Sequence, residues 1–324
     1  METKYNIGIV GAAGYTGGEL IRLLLNHPKA EIAFALSRSN SGKAVSSVHT
    51  DLFGETDLVF TNVYSDNIDV LFLCLPHKES KTWIESHSIS DNVKIIDLGN
   101  DFRIDGEFSK GEFVYGLPEV NSEAIKTANY IANPGCFATA IQLALLPLAK
   151  AELLQTVYTT GITGSTGAGQ SLQSSTHFTW RANNISAYKT LTHQHVEEIC
   201  NTLEKLTNHK VNLEFVPWRG DFTRGIFTSS TLQTSLDLAA VNELYEAFYK
   251  GNPFVFVSKE TIDLKQVVNT NKCLLHLEKE GDHIVIHSVI DNLIKGASGQ
   301  AVQNMNLMLG FEPTLGLKLK ASAF

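Results

Sequence analysis

The stretch Asn133-Pro134-Gly135-Cys136 sets a thiol just past a chain-breaking turn and just before a run, Ala138 to Lys150, that reads as a helix disturbed only by Pro147. A cysteine at a helix start feels the positive end of the peptide dipole and nearby amides with no partner inside the helix. Both favour thiolate over thiol and draw the pKa from about 8.5 towards neutrality. The same amides can later hold an oxyanion. Cys74 lies inside an apolar run, Cys273 on a strand and Cys200 in a predicted helix, so Cys136 alone has the setting of a nucleophile. The competing reading is a small buried hydrophobe at a boundary. A thiolate also needs a proton partner. Of the 11 histidines, the best placed are His193 and His195 in Thr-His-Gln-His-Val-Glu-Glu. Glu197 and Glu198 follow close enough for a carboxylate to orient an imidazole and hold its tautomer. The spacing does not choose between the two histidines, and either would serve equally as a surface or core residue.

A second constellation opens the chain. In Gly-Ile-Val-Gly-Ala-Ala-Gly-Tyr-Thr-Gly-Gly-Glu-Leu, Gly11, Gly14 and Gly17 fall between a predicted strand and a predicted helix. Glycine lets the backbone turn tightly, so a diphosphate can approach amides at the helix start. The spacing is GxxGxxG instead of GxGxxG, and position carries more of the signal than spacing does. Gly11, Ala13, Gly14, Tyr15, Thr16 and Gly17 are the candidate cofactor contacts, with Pro76 beyond the later strand beside them. An NAD site usually ends its second strand on Asp or Glu for the ribose hydroxyls. Here Ser37, Arg38, Ser39 and Lys43 stand in that place, which suits the 2′-phosphate of NADP; a plain polar loop is the alternative.

Further candidates are less specific. Gly164 to Gly169, with Ser165 and Gly167, is a loop of small residues and exposed amides able to hold phosphate or the nicotinamide end, or else a flexible turn. Asn292 and Gly296 mark a segment that returns to the cofactor. Arg103 would bind a phosphate or a carboxylate of a ligand, or pair with Asp101 or Asp105. Asn133 and Tyr188 are substrate contacts or packing. The four cysteines form no CxxC or metal-type pair, so no metal is expected.

The elements that must position these residues differ along the chain. Asn6 to Val10, Glu31 to Leu36, Val70 to Leu75 and Lys94 to Leu98 read as strands, with a helix over Gly14 to Asn26. This alternation predicts an α/β unit, a Rossmann-type doubly wound parallel sheet. After Cys136, residues 157 to 163, 211 to 216, 225 to 233, 254 to 257, 272 to 278 and 283 to 290 read as strands with fewer helices between them. They predict an α+β substrate and oligomerisation domain with a large mixed sheet. The closing segment around Ala301, Met305 and Met308 is helical and is expected to pack back on the first domain. The expected domains are residues 1–135 with about 297–324, and residues 136–296. At 324 residues, two domains match the length.

Composition bounds the function. The chain is 43% apolar and 19% charged, ordinary for a globular protein with a sizeable core. Acidic residues outnumber basic ones, 34 to 26, with no basic block, which argues against nucleic acid. No segment approaches the roughly 18 uninterrupted apolar residues of a membrane span, and the first residues lack a signal-peptide pattern. Scattered cysteines fit a reducing cytoplasm, the expected location.

Taken together, GIVGAAGYTGGEL, FLCLPH, IIDLGNDFRI, YGLPEVN, ANPGCFATA, TGSTGAGQ, ISAYKTLTHQH and SVIDNLIKGASGQAVQNMNLMLG resemble the N-acyl-γ-glutamyl-phosphate reductases of arginine biosynthesis, within the aspartate-semialdehyde dehydrogenase superfamily. The matches run nearly the whole chain. The resemblance implies NADPH-dependent reduction of an acyl phosphate to an aldehyde through a thioester on Cys136. It also implies His193 as general acid–base, Glu198 orienting it and His195 as second candidate, in a homodimer or homotetramer. Many members carry a stretch like FTPHLxPMxRG. This chain has Trp218 where that histidine would be, and Arg219 follows it, so a histidine there is not essential. Trp180 and Arg181 are atypical too. The Trp180–Arg181 pair, Trp218 or Arg219 would reshape the pocket for the acyl arm, an added cation (Arg181 or Arg219) accepting a second carboxylate, as in succinyl instead of acetyl; drift on an exposed loop is the alternative. Competing functions are an aspartyl-phosphate reductase, a dinucleotide sensor without turnover, and a cysteine hydrolase, which would have no use for the glycine loop.

Overall fold

The computed structural model describes residues 4–323, which form two compact units. The first runs to Pro134 and takes back Ala297–Lys318; the second is Gly135–Gly296 with the tail from Leu319. The tail departs from the expectation that it would join the first domain. Its Ser322 and Ala323 amides donate to the carbonyls of Val268 and Lys265, which ties it to the second unit.

In the first unit, a seven-stranded sheet is built from β1 (Tyr5–Val10), β2 (Ala30–Leu36), β3 (Phe60–Thr61), β4 (Val70–Leu73), β5 (Lys94–Asp97), β8 (Val114–Tyr115) and β9 (Tyr130–Ala132); β6 (Glu107–Phe108) and β7 (Gly111–Glu112) form a separate hairpin. The order is β3-β2-β1-β4-β5-β9-β8, with all pairs parallel. β4 and the inner half of β1 are buried throughout, the mark of strands covered on both faces. Helices α1 (Tyr15–Leu25), α2 (Ser80–Glu85) and α3 (Pro118–Thr127) connect them, and the C-terminal helix Gly299–Met308, buried along its whole length, completes the unit. Chain order reverses between β1 and β4. Ligands bind outside the carboxyl ends of the strands at such a switch point.

The second unit begins with α4 (Cys136–Lys150), two residues earlier than the apolar run predicts. Its sheet holds β10 (Thr156–Thr163), β11 (Ser186–Ala187), β12 (Asn212–Arg219), β13 (Ile226–Gln233), β14 (Val255–Ser258), β15 (Cys273–Glu280) and β16 (His283–Ile290). The order β11-β12-β10-β13-β16-β15-β14 mixes parallel and antiparallel pairs. Here burial alternates residue by residue, so one face packs and the other does not. Val157, Phe215 and Leu232 face inward with α4, α5 (Phe178–Arg181), α6 (His195–Thr207) and α7 (Leu238–Phe248) elsewhere in the unit. Tyr158, Phe227 and Phe256 stand on the other face.

Candidate active site

Cys136 is the first residue of α4, with Gly135 as an extended N-cap that offers no side chain to the helix start. The group that reaches this turn comes from α6: Oε1 of buried Glu198 accepts from the Gly135 amide at 2.8 Å. Behind the thiol runs a π-helical turn, Ile294–Ser298. Gly296 lies so close that a Cβ there would fall 2.8 Å from Cβ of Cys136, so only glycine fits. The other thiols lack a comparable setting. Burial pushes Cys74 up to about 12 and Cys200 up to about 11, while Cys273 is buried on its strand.

His193 and His195 are both buried, with their rings 4.7 Å apart. His193 is boxed by Phe137, Phe215 and Tyr188 at 5.7, 5.5 and 5.7 Å. Its Nδ1 accepts from the His195 amide at 3.2 Å. An amide can only donate, so the neutral ring carries its proton on Nε2. Burial in the aromatic box, with the Lys189 charge adding to it, lowers its pKa to about 4. Glu198 was expected to orient His193. The partner of its Nδ1 is the His195 amide, and Oε1 of Glu198 accepts from the turn before the thiol.

The first unit carries the glycine loop at the end of β1. Gly11 has φ +78°, and a Cβ there would meet the Cys74 carbonyl at 2.3 Å; at Gly17 it would lie 2.7 Å from Ala12 backbone. Gly14 caps α1 without a side-chain hydrogen bond. His49, which the sequence did not single out, pins the loop through Nε2 to the Ala12 carbonyl at 2.8 Å and packs on Gly18. Ser298 Oγ donates to the Thr16 carbonyl at 2.8 Å. Ala13, Tyr15 and Thr16 lie on the loop and the first turn of α1. At the end of β2, Ser37 is buried while Arg38 and Ser39 are exposed. Among the described residues no carboxylate pairs with Arg38 or Lys43. Pro76 is exposed beyond β4, next to β1 in the sheet. An uncapped helix start and a tight glycine turn fit a nicotinamide dinucleotide; beyond the second strand, Lys43 donates to Asn40 at 3.2 Å.

Several expected contacts are occupied by the protein itself. The amides of Gly164, Ser165, Thr166, Gly167 and Gly169 all donate to carbonyls, the first three to segment 222–225, so this loop presents no open row of amides for phosphate. Asn292 accepts from the Gly225 amide at 2.7 Å and donates to Thr166 Oγ1 at 3.0 Å; it braces that loop and is not free for a cofactor. Asn133 donates to the Ala297 carbonyl and accepts from Asn304, each at 3.1 Å, which makes it a tie to the C-terminal helix. Arg103 donates to the carbonyls of Asn133 and Leu98 at 2.9 and 3.0 Å, while Asp101 caps the amides of Lys78 and Lys81. Arg181 is buried and spends its Nη groups on the Arg219 and Gly220 carbonyls and on Ser186 Oγ. Both Nη groups are thereby held by the protein, while Nε is buried. Trp218 lies on the outer sheet face, bonded to Thr160 Oγ1 at 3.0 Å, and does not shape the thiol's surroundings.

Comparisons with known proteins show the family. The semialdehyde dehydrogenase NAD binding domain matches residues 6–128, and the semialdehyde dehydrogenase dimerisation domain matches residues 136–292. The N-acetyl-gamma-glutamyl-phosphate reductase of Parabacteroides distasonis is 53% identical over 320 residues, 98% of this chain and 99% of that protein. This chain belongs to the N-acetyl-γ-glutamyl-phosphate reductase family. The reductase of Bacteroides thetaiotaomicron is 55% identical over the same share of both chains. Among solved structures, aspartate semialdehyde dehydrogenase II from Vibrio cholerae, complexed with ASA, superposes with a TM-score of 0.75 at 19% identity, covering 95% of this chain and 99% of that one. At that identity the likeness shows the fold alone, so the aspartyl enzymes share the architecture while the glutamyl reductases share the sequence.

Proposed function

We propose that this chain reduces N-acyl-L-glutamyl 5-phosphate to the N-acyl-L-glutamate 5-semialdehyde and releases phosphate, with NADPH as reductant, as a step of arginine biosynthesis. The acyl group is acetyl, as in the relatives' name, or succinyl. The observation that carries the reading is the cluster of Cys136, His193, His195 and Glu198 around one helix start, in a chain about half identical to these reductases throughout.

The sulfur of Cys136 attacks the γ-carbonyl, the bond from that carbon to the phosphate oxygen breaks, and phosphate leaves with the electron pair. A thioester remains, a far better hydride acceptor than a carboxylate. A nicotinamide dinucleotide held at the Gly11–Gly17 loop would supply one hydride for that carbon. The carbon–sulfur bond then breaks, freeing the aldehyde and regenerating the thiolate. Amides at the start of α4 stabilise both the thiolate and the oxyanion. A proton carrier works best with a pKa near the working pH. His193, at about 4 and with Nδ1 committed, is poorly suited, although the motif resemblance points to it. We assign the proton shuttle to His195: it takes the thiol proton as sulfur attacks and passes it to the departing phosphate oxygen, and a proton from solvent restores the thiol once the aldehyde has left. His193 holds the His195 backbone in place.

NADP preference is supported by Ser37, Arg38, Ser39 and Lys43 and by the absence of an acid at the end of β2. The dimerisation domain matched over residues 136–292 supports self-association, as a homodimer or, by pairing of dimers, a homotetramer. No helix among the described residues is long and apolar enough to cross a membrane, and a cytoplasmic location is consistent with four free cysteines.

The test runs the reaction backwards. N-acetyl- or N-succinyl-glutamate semialdehyde with phosphate and NADP+ yields reduced nicotinamide absorbance, NAD+ serves poorly, and Cys136→Ser abolishes the signal. Dinucleotide binding without phosphate-dependent turnover would favour a sensor, and a preference for aspartate semialdehyde would favour the aspartyl branch.

A further inference from the structure

Near the thiol, the second unit holds two cations, Arg181 and Arg219; the acid whose charge bears on Arg181 is Asp221, and among the described residues it does not reach either guanidinium as an ion pair. Arg219 ends β12, and Phe215, Pro217 and Arg219 alternate onto the inner face, where Phe215 meets the ring of His193. The short strand β11 pairs Ser186 with Arg219, and the Tyr188 amide donates to the Pro217 carbonyl at 3.1 Å, so the chain returns with Tyr188 beside Arg219. The Arg219 guanidinium lies 4.7 Å from the centre of the Tyr188 ring. Tyr188 also packs on His193 at 5.7 Å. Burial first, then the charge of Cys136, pushes its phenol up to about 12, while Arg219 opposes the shift by charge and hydrogen bond. Tyr188 is thus within electrostatic reach of both the nucleophile and this cation.

Arg181 stands behind. It holds the Arg219 carbonyl at 2.7 Å, and its charge bears on Arg219. Among the described residues neither guanidinium has a carboxylate within ion-pair distance. Nε of each is buried and without a hydrogen-bond partner. Two neighbouring like charges with unmet donors cost free energy, and an anion between or before them would relieve it. The planar fork of arginine matches a carboxylate with two parallel hydrogen bonds.

We propose that Arg219, positioned by Arg181 and Tyr188, recognises a carboxylate of the substrate. The inference rests on the reductase reading. Two carboxylates have this chemistry: the α-carboxylate of the glutamyl part, and the terminal carboxylate of a dicarboxylic acyl arm such as succinyl.

The experiment measures phosphate-dependent oxidation of N-acetyl- and N-succinyl-glutamate semialdehyde by wild type, Arg219→Gln and Arg219→Lys. A lost charge-assisted bidentate contact raises KM about tenfold to hundredfold with kcat nearly kept, and lysine restores part of it. A rise for both substrates assigns the α-carboxylate. A rise confined to the succinyl substrate, with wild type preferring it, assigns the acyl arm. Unchanged KM for both in Arg219→Gln, or a fall in kcat alone, overturns the proposal. Wild type inactive on both substrates would overturn the reductase reading, and this inference with it.

Discussion

At the level of single residues, two histidines two positions apart have opposite surroundings. His193 sits in an aromatic box and binds a backbone amide; His195 heads a helix. Replacing His195 with Asn should lower kcat by about a hundredfold to ten-thousandfold, the usual worth of a general acid–base. His193→Asn, whose side-chain amide oxygen can still accept from the His195 amide, should cost about tenfold; the reverse order in steady-state rates would exchange their roles. The lowered pKa of His193 also has a sign. The unfolded chain takes up a proton near 6.5 while the folded chain refuses it until about 4. Stability from this group is therefore present above 6.5 and is lost as pH falls through that window. Urea titrations at pH 7 and pH 5 should show wild type losing more stability on acidification than His193→Asn does.

Among elements, the π turn behind the thiol is the part under most constraint. The Gly296 amide bonds five residues back to the Asp291 carbonyl at 2.9 Å. The Asp291 carboxylate, fully buried, accepts from the amides of Asn269, Leu293 and Ile294 at 2.6, 2.8 and 3.1 Å and pairs with Arg224 at 3.0 Å. This knot sets where Gly296 presses on Cys136. Gly296→Ala should displace the sulfur, and misplacement of that kind costs on the order of a hundredfold in rate. Iodoacetamide labelling of Cys136 should change in the same variant while the thermal midpoint moves little. Asp291→Asn should instead lower overall stability, by on the order of 3 kcal/mol in urea titration, because it removes the buried charge that faces Arg224 and gathers three amides. An Asp291→Asn variant as stable as wild type would remove the knot from this account. From the sequence, the glycine at 296 was marked only as part of a returning segment, since nothing local reveals that a cysteine 160 positions earlier in the chain lies against it.

For the molecule as a whole, the outer face of the second sheet needs a cover. Tyr158 is 62% exposed and Phe256 43%, with Phe227 and Trp218 on the same side. We propose that a second copy of this chain covers it, in line with the dimerisation domain matched over residues 136–292. Sedimentation should give the mass of two or four chains, and Tyr158→Glu should shift it towards one; a monomeric wild type would refute the assignment. Legibility from sequence follows from the range of the interactions involved. Continuous apolar runs against alternating ones separate a sheet covered twice from a sheet covered once, and the glycine loop and the helix start at Cys136 are marked within a dozen residues each, because φ, ψ and burial periodicity are local properties of the chain. Which polar group meets which is not local. Glu198 reaches Gly135 across 63 positions and Asn292 reaches Thr166 across 126. Residue types alone therefore named Asn133, Asn292, Arg103 and Arg181 as ligand contacts. Only the folded chain, by bringing distant backbone groups within reach, shows that each of those side chains also bonds to the protein's own main chain.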